Sequence, residues 1–450
     1  MSKKMQLFFS VLICLVFCLG ACSTPPAATN PAPSKTEAAS PAVPSPAEPT
    51  AAQPSQVPTA EPKTVTISFW HSYNETSPEN EMLVKTLIPL FEKENPGIKI
   101  DALSVPYESF HQKLITSIGG GVAPDLIRAD IIWVPELAEM GALASLEDKM
   151  PEFNKLKEAI FPGPMSTTLW NNHYYGLPLD TNTKVWISNP DMYAAAKIEK
   201  PAEKISELMS QCEQIKAVNP DHYLFATDGT FAWTVLPWIW SMGGDILSPD
   251  LTTATGFING PKSVAAYELW LELFEKGCMA PVVLGNGVDV WTGFAQDQYA
   301  SLDNGPWTYP IIKGQFPDKK IAASPFPAGE AGSIDVVGGE DVVLFEQSKN
   351  KEAALKFIQF LLSPTYQFKM AEVGQIPVLT EAIHSDFIKN HAYYPVFMKQ
   401  LETAKARPAL PEWNKIDEII TEAGQLILRK EKTPQAALDE AAAKIDKLLK

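Results

Sequence analysis

From Thr64 onward the apolar and polar positions follow two alternating periods. Thr64–Trp70 (TVTISFW) is apolar and rich in β-branched and aromatic residues, as a half-buried strand requires. Asn80–Asn95 sets Met82, Leu83, Leu87, Leu90 and Phe91 at helical spacing, and Pro96-Gly97 ends the run. Ile98–Val105 returns to the period of a strand. Tyr107–Ile118 is helical again and stops at Gly119-Gly120-Gly121. Ala123–Ile132 (APDLIRADII) reads as a third strand, and Pro135–Met140 opens another helix. Strands separated by helices lie side by side and point the same way, so this order predicts a parallel, doubly wound sheet.

Beyond Asp180 the pattern turns helical, with apolar stripes over Pro201–Val218, Lys262–Lys276, Lys351–Leu362 and Thr433–Leu449. The last opens on Thr433-Pro434, a capping residue followed by a proline whose missing N–H costs nothing there. Val336–Phe345 (VVGGEDVVLF) is a late strand interrupted by glycines. No segment repeats.

Residues 1–63 carry neither period. Lys3 and Lys4 precede Leu7–Leu19, an apolar run of 13 residues. A spanning helix needs about 20, so this run has the proportions of an export signal. It ends in Leu19-Gly20-Ala21-Cys22, a lipobox pattern. Small residues fit a peptidase groove, and the Cys22 thiol accepts a diacylglyceryl group. The expected arrangement is a signal peptide over residues 1–21, then a lipidated Cys22 that anchors the chain on the extracellular face of a bacterial cell membrane. Ser23–Lys63 holds 11 prolines and 10 alanines in 41 residues and no aromatic residue. Such a segment cannot bury a core. Residues 22–63 are expected to be an extended tether with a reach on the order of 100 Å, at about 3.1 Å per residue.

The 450 residues are 45% hydrophobic and 20% charged, which excludes a polytopic membrane protein. Thirty-seven basic against 53 acidic side chains give a net charge of −16. That balance excludes nucleic-acid binding, because phosphate demands a basic footprint. Once Cys14 and Cys18 leave with the signal and Cys22 takes lipid, Cys212 and Cys278 remain. In an oxidising compartment they form a disulfide, or else they are two separate buried thiols.

Several chemistries are absent. The chain has no G-x-x-x-x-G-K-S/T or G-x-G-x-x-G loop, no G-x-S-x-G elbow, no H-E-x-x-H and no C-x-x-C. Its six histidines lack metal-ligand spacing, so neither a metal nor a cofactor is expected. The aromatic content points elsewhere. Many of the eleven tryptophans sit beside Gly, Pro, Asp or Asn at predicted element ends. Sugar rings offer apolar C–H faces to an indole and hydroxyls to neighbouring polar groups. Any one tryptophan taken by itself fits the core better, because its ring buries much apolar area.

Six segments taken together resemble the family 1 extracellular solute-binding proteins of ABC importers, the maltose-binding-like group. They are ISFWHSYNE, APDLIRADIIWVPELAEMGAL, YYGLPLDTNTKVWISNPDMY, SLDNGPWTY, GGEDVVLFEQSKNKEAALKFIQFLLSPTYQ and ARPALPEWNKI. The resemblance spans Val65–Lys450. It implies a two-lobed, type II periplasmic-binding-protein-like α/β fold with hinge crossovers. The N-terminal lobe is expected over 64–180 and 337–381, and the C-terminal lobe over 181–335 and 382–450. The ligand positions it implies are Trp70, His71, Glu75, Asp130, Trp133, Asp180, Phe231, Trp233, Trp240, Trp307, Gly339, Glu340, Asp341, Arg407 and Trp413. It also implies a monomeric, non-catalytic protein that hands a carbohydrate, an oligosaccharide foremost, to the transmembrane permease subunits of an ABC transporter. Two other functions fit the residues: an exported glycoside hydrolase using Asp180 with a second carboxylate, and a sugar-binding surface adhesin or sensor.

Overall fold

The computed structural model describes residues 64–450; the expected signal peptide, Cys22 and the tether lie outside the described residues. Two sheets, each backed by helices, define two lobes. In the N-terminal lobe β2 (Ile98–Ser104), β1 (Val65–His71) and β3 (Leu126–Asp130) run parallel, joined by the helices the periodicity anticipates. A hairpin of β4 (Leu169–Trp170) and β5 (His173–Tyr174) precedes the long strand β6 (Gly176–Thr183). The C-terminal lobe carries β7 (Val185–Ser188), β8 (Tyr223–Ala226), β9 (Tyr299–Asn304) and β10 (Ala322–Ser324) in the order β10-β7-β9-β8. The chain then returns through β11 (Val336–Leu344) and, later, β12 (Lys405–Ala406).

The N-terminal sheet is not wholly parallel. β11 inserts between β3 and β6 and is antiparallel to both. The chain leaves this lobe along β6 and comes back along β11 from the opposite end, so the returning strand runs against β3 and β6, while the short β12 pairs with it in parallel. One residue, Lys184, separates β6 from β7, and Asp335 immediately precedes β11. The two sheets therefore meet at a short seam.

The helix expected over Asn80–Asn95 is interrupted. It comprises Pro78–Met82, a wide π turn over Leu83–Leu87, and Ile88–Glu94. Pro89 has no N–H to offer the Lys85 carbonyl and its ring crowds that carbonyl, so the preceding turn opens.

Phe69 of β1 packs on Phe357, and Phe91 packs on Phe357 and Phe360, at centroid distances of 4.9–5.4 Å, in the N-terminal core. Trp186, Phe225, Trp238, Trp270 and Phe326 form the aromatic centre of the other lobe. Cys212, in the helix Leu208–Val218, is bonded to Cys278 with Cα atoms 5.4 Å apart. Of the two arrangements open to these cysteines, the structure has the bridge.

Candidate functional site

Register places three carboxylates in one row across the sheet. Glu340 on β11 stands opposite Asp130 on β3 and opposite Asp180 on β6. Directly opposed residues point to the same face. Arg128 lies two positions before Asp130, hence also on that face. Its guanidinium donates to Asp180 Oδ2 at 2.9 Å, Glu340 Oε1 at 2.7 Å, Ser72 Oγ at 3.1 Å and Gln375 Oε1 at 3.3 Å. The Tyr73 ring lies 4.2 Å from it. Burial opposes the charge on Arg128, but Asp180 and Glu340 outweigh it and hold the group firmly protonated. Burial, with Asp180 alongside, pushes Glu340 well above the usual carboxylate range against the pull of Arg128.

A second buried cation occupies the seam. Lys184 is ion-paired with Asp303 of β9 and sits 4.0 Å from Asp335. Burial raises both acids, and Asp303 adds to the shift at Asp335. A third lies between the lobes, where Arg407 donates to Asp130 Oδ1 at 2.9 Å and its Cζ lies 5.2 Å over the Trp233 ring. Tyr107 donates to the other Asp130 oxygen at 2.8 Å.

Trp233 and Trp307 provide the aromatic wall. Both are half-buried and their rings stack at 6.5 Å with an interplanar angle of 28°. A side chain at Gly338 would come within 2.6 Å of the Trp233 ring, so the glycine lets the indole lie on the β11 backbone. Gly339 adopts φ 138° and passes close to the Asp180 carbonyl, a conformation that excludes larger residues. Asp228 is open to solvent on one side and packed by protein on the other. Burial lifts its pKa to about 6 against Lys184, with help from Asp289 and from Glu108 of the other lobe.

The structure thus brings together Asp130, Asp180, Trp233, Trp307, Gly339, Glu340 and Arg407. The other expected positions have these surroundings. Trp413 is wholly buried in the core, and Trp240 is buried with its Nε1 donating to Asp245 at 3.0 Å. Asp341 is the next residue along β11, so its side chain points to the face opposite Glu340 and accepts from Thr167. Trp133 is buried against Phe110 and Tyr107. Trp70 packs on Phe110 under Lys113. Phe231 is half-buried at the start of the helix Ala232–Ser241, and Glu75 is exposed. His71 is fully buried with neither ring nitrogen bonded; burial, then Arg128, lowers its pKa to about 3.

Sequence reasoning missed Arg128, Lys184, Tyr107 and Gln375. A signal existed for the first. The chain has only three arginines, and one of them stands between the apolar residues Ile127 and Ala129 of a predicted strand. Among the described residues one group, Glu147, Asp148 and His173, brings three metal-ligand atoms within 4.8 Å; it lies at the β5 hairpin and shares no residue with the row.

The family described as bacterial extracellular solute-binding protein matches residues 74–368. A Brucella abortus chain named only for a supposed binding role is 30% identical over 366 residues, covering 80% of this chain and 88% of that one. The multiple sugar-binding protein of Streptococcus mutans is 26% identical over 391 residues, covering 81% and 87%. A solved ABC transporter solute-binding protein of Thermotoga lettingae, bound with α-D-tagatose, superposes with TM-score 0.78 at 26% identity, over 86% of this chain and 100% of the other.

Proposed function

Because the chain belongs to the bacterial extracellular solute-binding protein family, we propose that it captures a carbohydrate between its lobes and delivers it to the permease subunits of an ABC importer. The observation that carries this reading is the stacked, half-buried Trp233–Trp307 pair beside Arg407, where the two sheets meet. An indole buries the C–H face of a sugar without requiring a hydrogen bond at its centre, and the row of buried acids and arginines suits ring hydroxyls. The sugar-binding name of the Streptococcus mutans relative and the tagatose in the Thermotoga lettingae structure support the same class. Ligand would close the lobes about the seam at Lys184 and Asp335 by favouring the closed population.

The glycosidase alternative is weaker on chemical grounds. Hydrolysis needs two carboxyls that flank the scissile bond with distinct roles, whereas Asp180 and Glu340 both bond one guanidinium, that of Arg128. Lipid attachment at Cys22 and display on the outer membrane face complete the reading, resting on the LGAC sequence.

Titration of tryptophan fluorescence with maltotriose, acarbose and D-tagatose tests it, backed by calorimetry. Saturable binding without release of smaller sugars is expected. Silence in both measurements with every sugar sinks the carbohydrate reading. Cys22→Ala should release the protein or leave its signal uncleaved; membrane retention with unchanged mass removes the anchor.

A further inference from the structure

We propose that Glu136 of the N-terminal lobe and Asn414 of the C-terminal lobe form a latch at the outer edge of the contact between the lobes, and that this latch sets how long a captured ligand is held and not how fast it enters. The inference rests on the capture reading above and adds a named contact to it.

Glu136 belongs to the helix Val134–Glu139 and Asn414 to the helix Trp413–Leu428. The Asn414 Nδ2 donates to Glu136 Oε2 at 2.6 Å, across 278 residues of sequence. His111, in the helix Tyr107–Gly119, sets its Nε2 2.6 Å from the same oxygen. Two acceptors would repel at that distance, so His111 Nε2 carries a hydrogen and donates it. The two donors lie 3.1 Å apart, both aimed at one oxygen. Burial favours the neutral acid, but the bonds from His111 and Asn414 prevail and hold the Glu136 carboxyl below its ordinary range. The acceptor is therefore charged, and bonds to a charged acceptor are about twice as strong as neutral ones.

Both ends of the latch stand on firm ground. The His111 ring centroid lies 5.6 Å from that of the buried Trp133, and Trp413, one residue before Asn414, is wholly buried. Further in, Arg407 and Asp130 join the same two lobes with side chains only 3% and 9% exposed. The His111 and Glu136 side chains are 27% and 22% exposed. The joint thus runs from a buried ion pair to a half-open bond, and the half-open bond meets water first when the lobes part. Its partners are readily rehydrated, so it tunes the balance between closed and parted lobes and does not hold the fold together. A ligand enters while the lobes are apart, before Glu136 and Asn414 meet. It leaves only after they separate. A contact made in the complex but not on the way in slows release alone.

The test compares wild type with Asn414→Asp and with the double variant Glu136→Gln, Asn414→Asp. The single change sets two carboxylates face to face. The double change exchanges donor and acceptor: the new glutamine amide donates to the new aspartate, while its oxygen still accepts from His111. Small-angle scattering reads the separation of the lobes without ligand. Stopped-flow tryptophan fluorescence with maltotriose, acarbose and D-tagatose reads the rates of entry and release. Asn414→Asp should have a larger radius of gyration than wild type, and should release sugar about fivefold faster or more with an entry rate within about twofold. The double variant should return both quantities toward wild type. An unchanged release rate in Asn414→Asp, or a change confined to entry, overturns the latch. A double variant that releases as fast as the single one overturns the pairing. Wild type binding none of the sugars overturns the carbohydrate reading and leaves scattering to judge the latch: equal radii in wild type and Asn414→Asp then overturn it.

Discussion

Asp180 of β6 and Glu340 of β11 stand opposite each other in register, and one guanidinium, that of Arg128, bonds both. Lys184 repeats the arrangement at the other end of the same strand pair, between Asp303 and Asp335. Each cation is shared by two buried carboxyls, and the two groups bracket the ribbon that links the lobes.

Removing the first cation leaves two acids facing each other out of water. Arg128→Met should cost about 3–5 kcal/mol in urea denaturation. Arg128→Lys should not restore it, because a single ammonium cannot span four separate acceptors. Adding Asp180→Asn and Glu340→Gln to Arg128→Met should recover most of the loss. A deficit below about 1 kcal/mol in the single variant would mean that solvent already reaches the pair.

His71 makes stability depend on pH in a defined direction. Unfolded, it takes a proton near 6.5; folded, only near 3. Between those values the unfolded chain binds more protons, so the contribution is complete above pH 6.5 and shrinks as pH falls. Asp417 and Asp228, both raised to about 6 by burial, act the opposite way over an overlapping range. A comparison with His71→Phe isolates the histidine. The variant should lose less stability than wild type between pH 6 and pH 4, by on the order of 2 kcal/mol. Parallel pH profiles would show that the buried ring is protonated without opening the lobe.

The Cys212–Cys278 bond closes a loop with a sequence separation of 66. Restricting the unfolded chain by that much is worth about 4 kcal/mol. Reduction, or replacement of both cysteines by serine, should lower the melting midpoint strongly while sugar affinity, measured well below that midpoint, stays the same. A change in affinity would tie the bridge to the cleft.

Two tryptophans should respond in opposite ways. Trp307→Ala should weaken sugar binding by about 2 kcal/mol, roughly thirtyfold, with little change in the ligand-free melting midpoint. Trp413→Ala should cost about 3–5 kcal/mol of stability, because it empties a fully buried site. Thermal melting with and without maltotriose or D-tagatose separates them.

Much of this architecture was legible before any coordinates. The alternation over Thr64–Ile132 gave the strands and helices of that stretch within a few residues, because local periodicity reports local structure. The direction of β11 was hidden, since nothing in VVGGEDVVLF says from which end the chain returns. That Trp240 and Trp413 are buried could not be read from the sequence, for a chemical reason. A polar neighbour beside an indole looks the same whether it recognises a sugar or, like Asp245, satisfies a buried N–H. Arg128 escaped notice because its partners lie 52 and 212 residues away, and spacing cannot reveal such a pairing.

The insertion of β11 between β3 and β6 also sets a timetable. A polypeptide emerging from its N-terminus has Val65–Thr183 available early, yet β3 and β6 have no strand between them until Leu344 has emerged. Pairings this distant in sequence are slow to form, because a long loop must close before any contact rewards it. The first lobe to be synthesised is thus completed only after most of the second, and the nascent chain keeps two unpaired strand edges throughout. Such a chain suits threading through a membrane channel in extended form. It also makes the newly emerged protein most vulnerable to aggregation in the interval before residues 336–344 arrive.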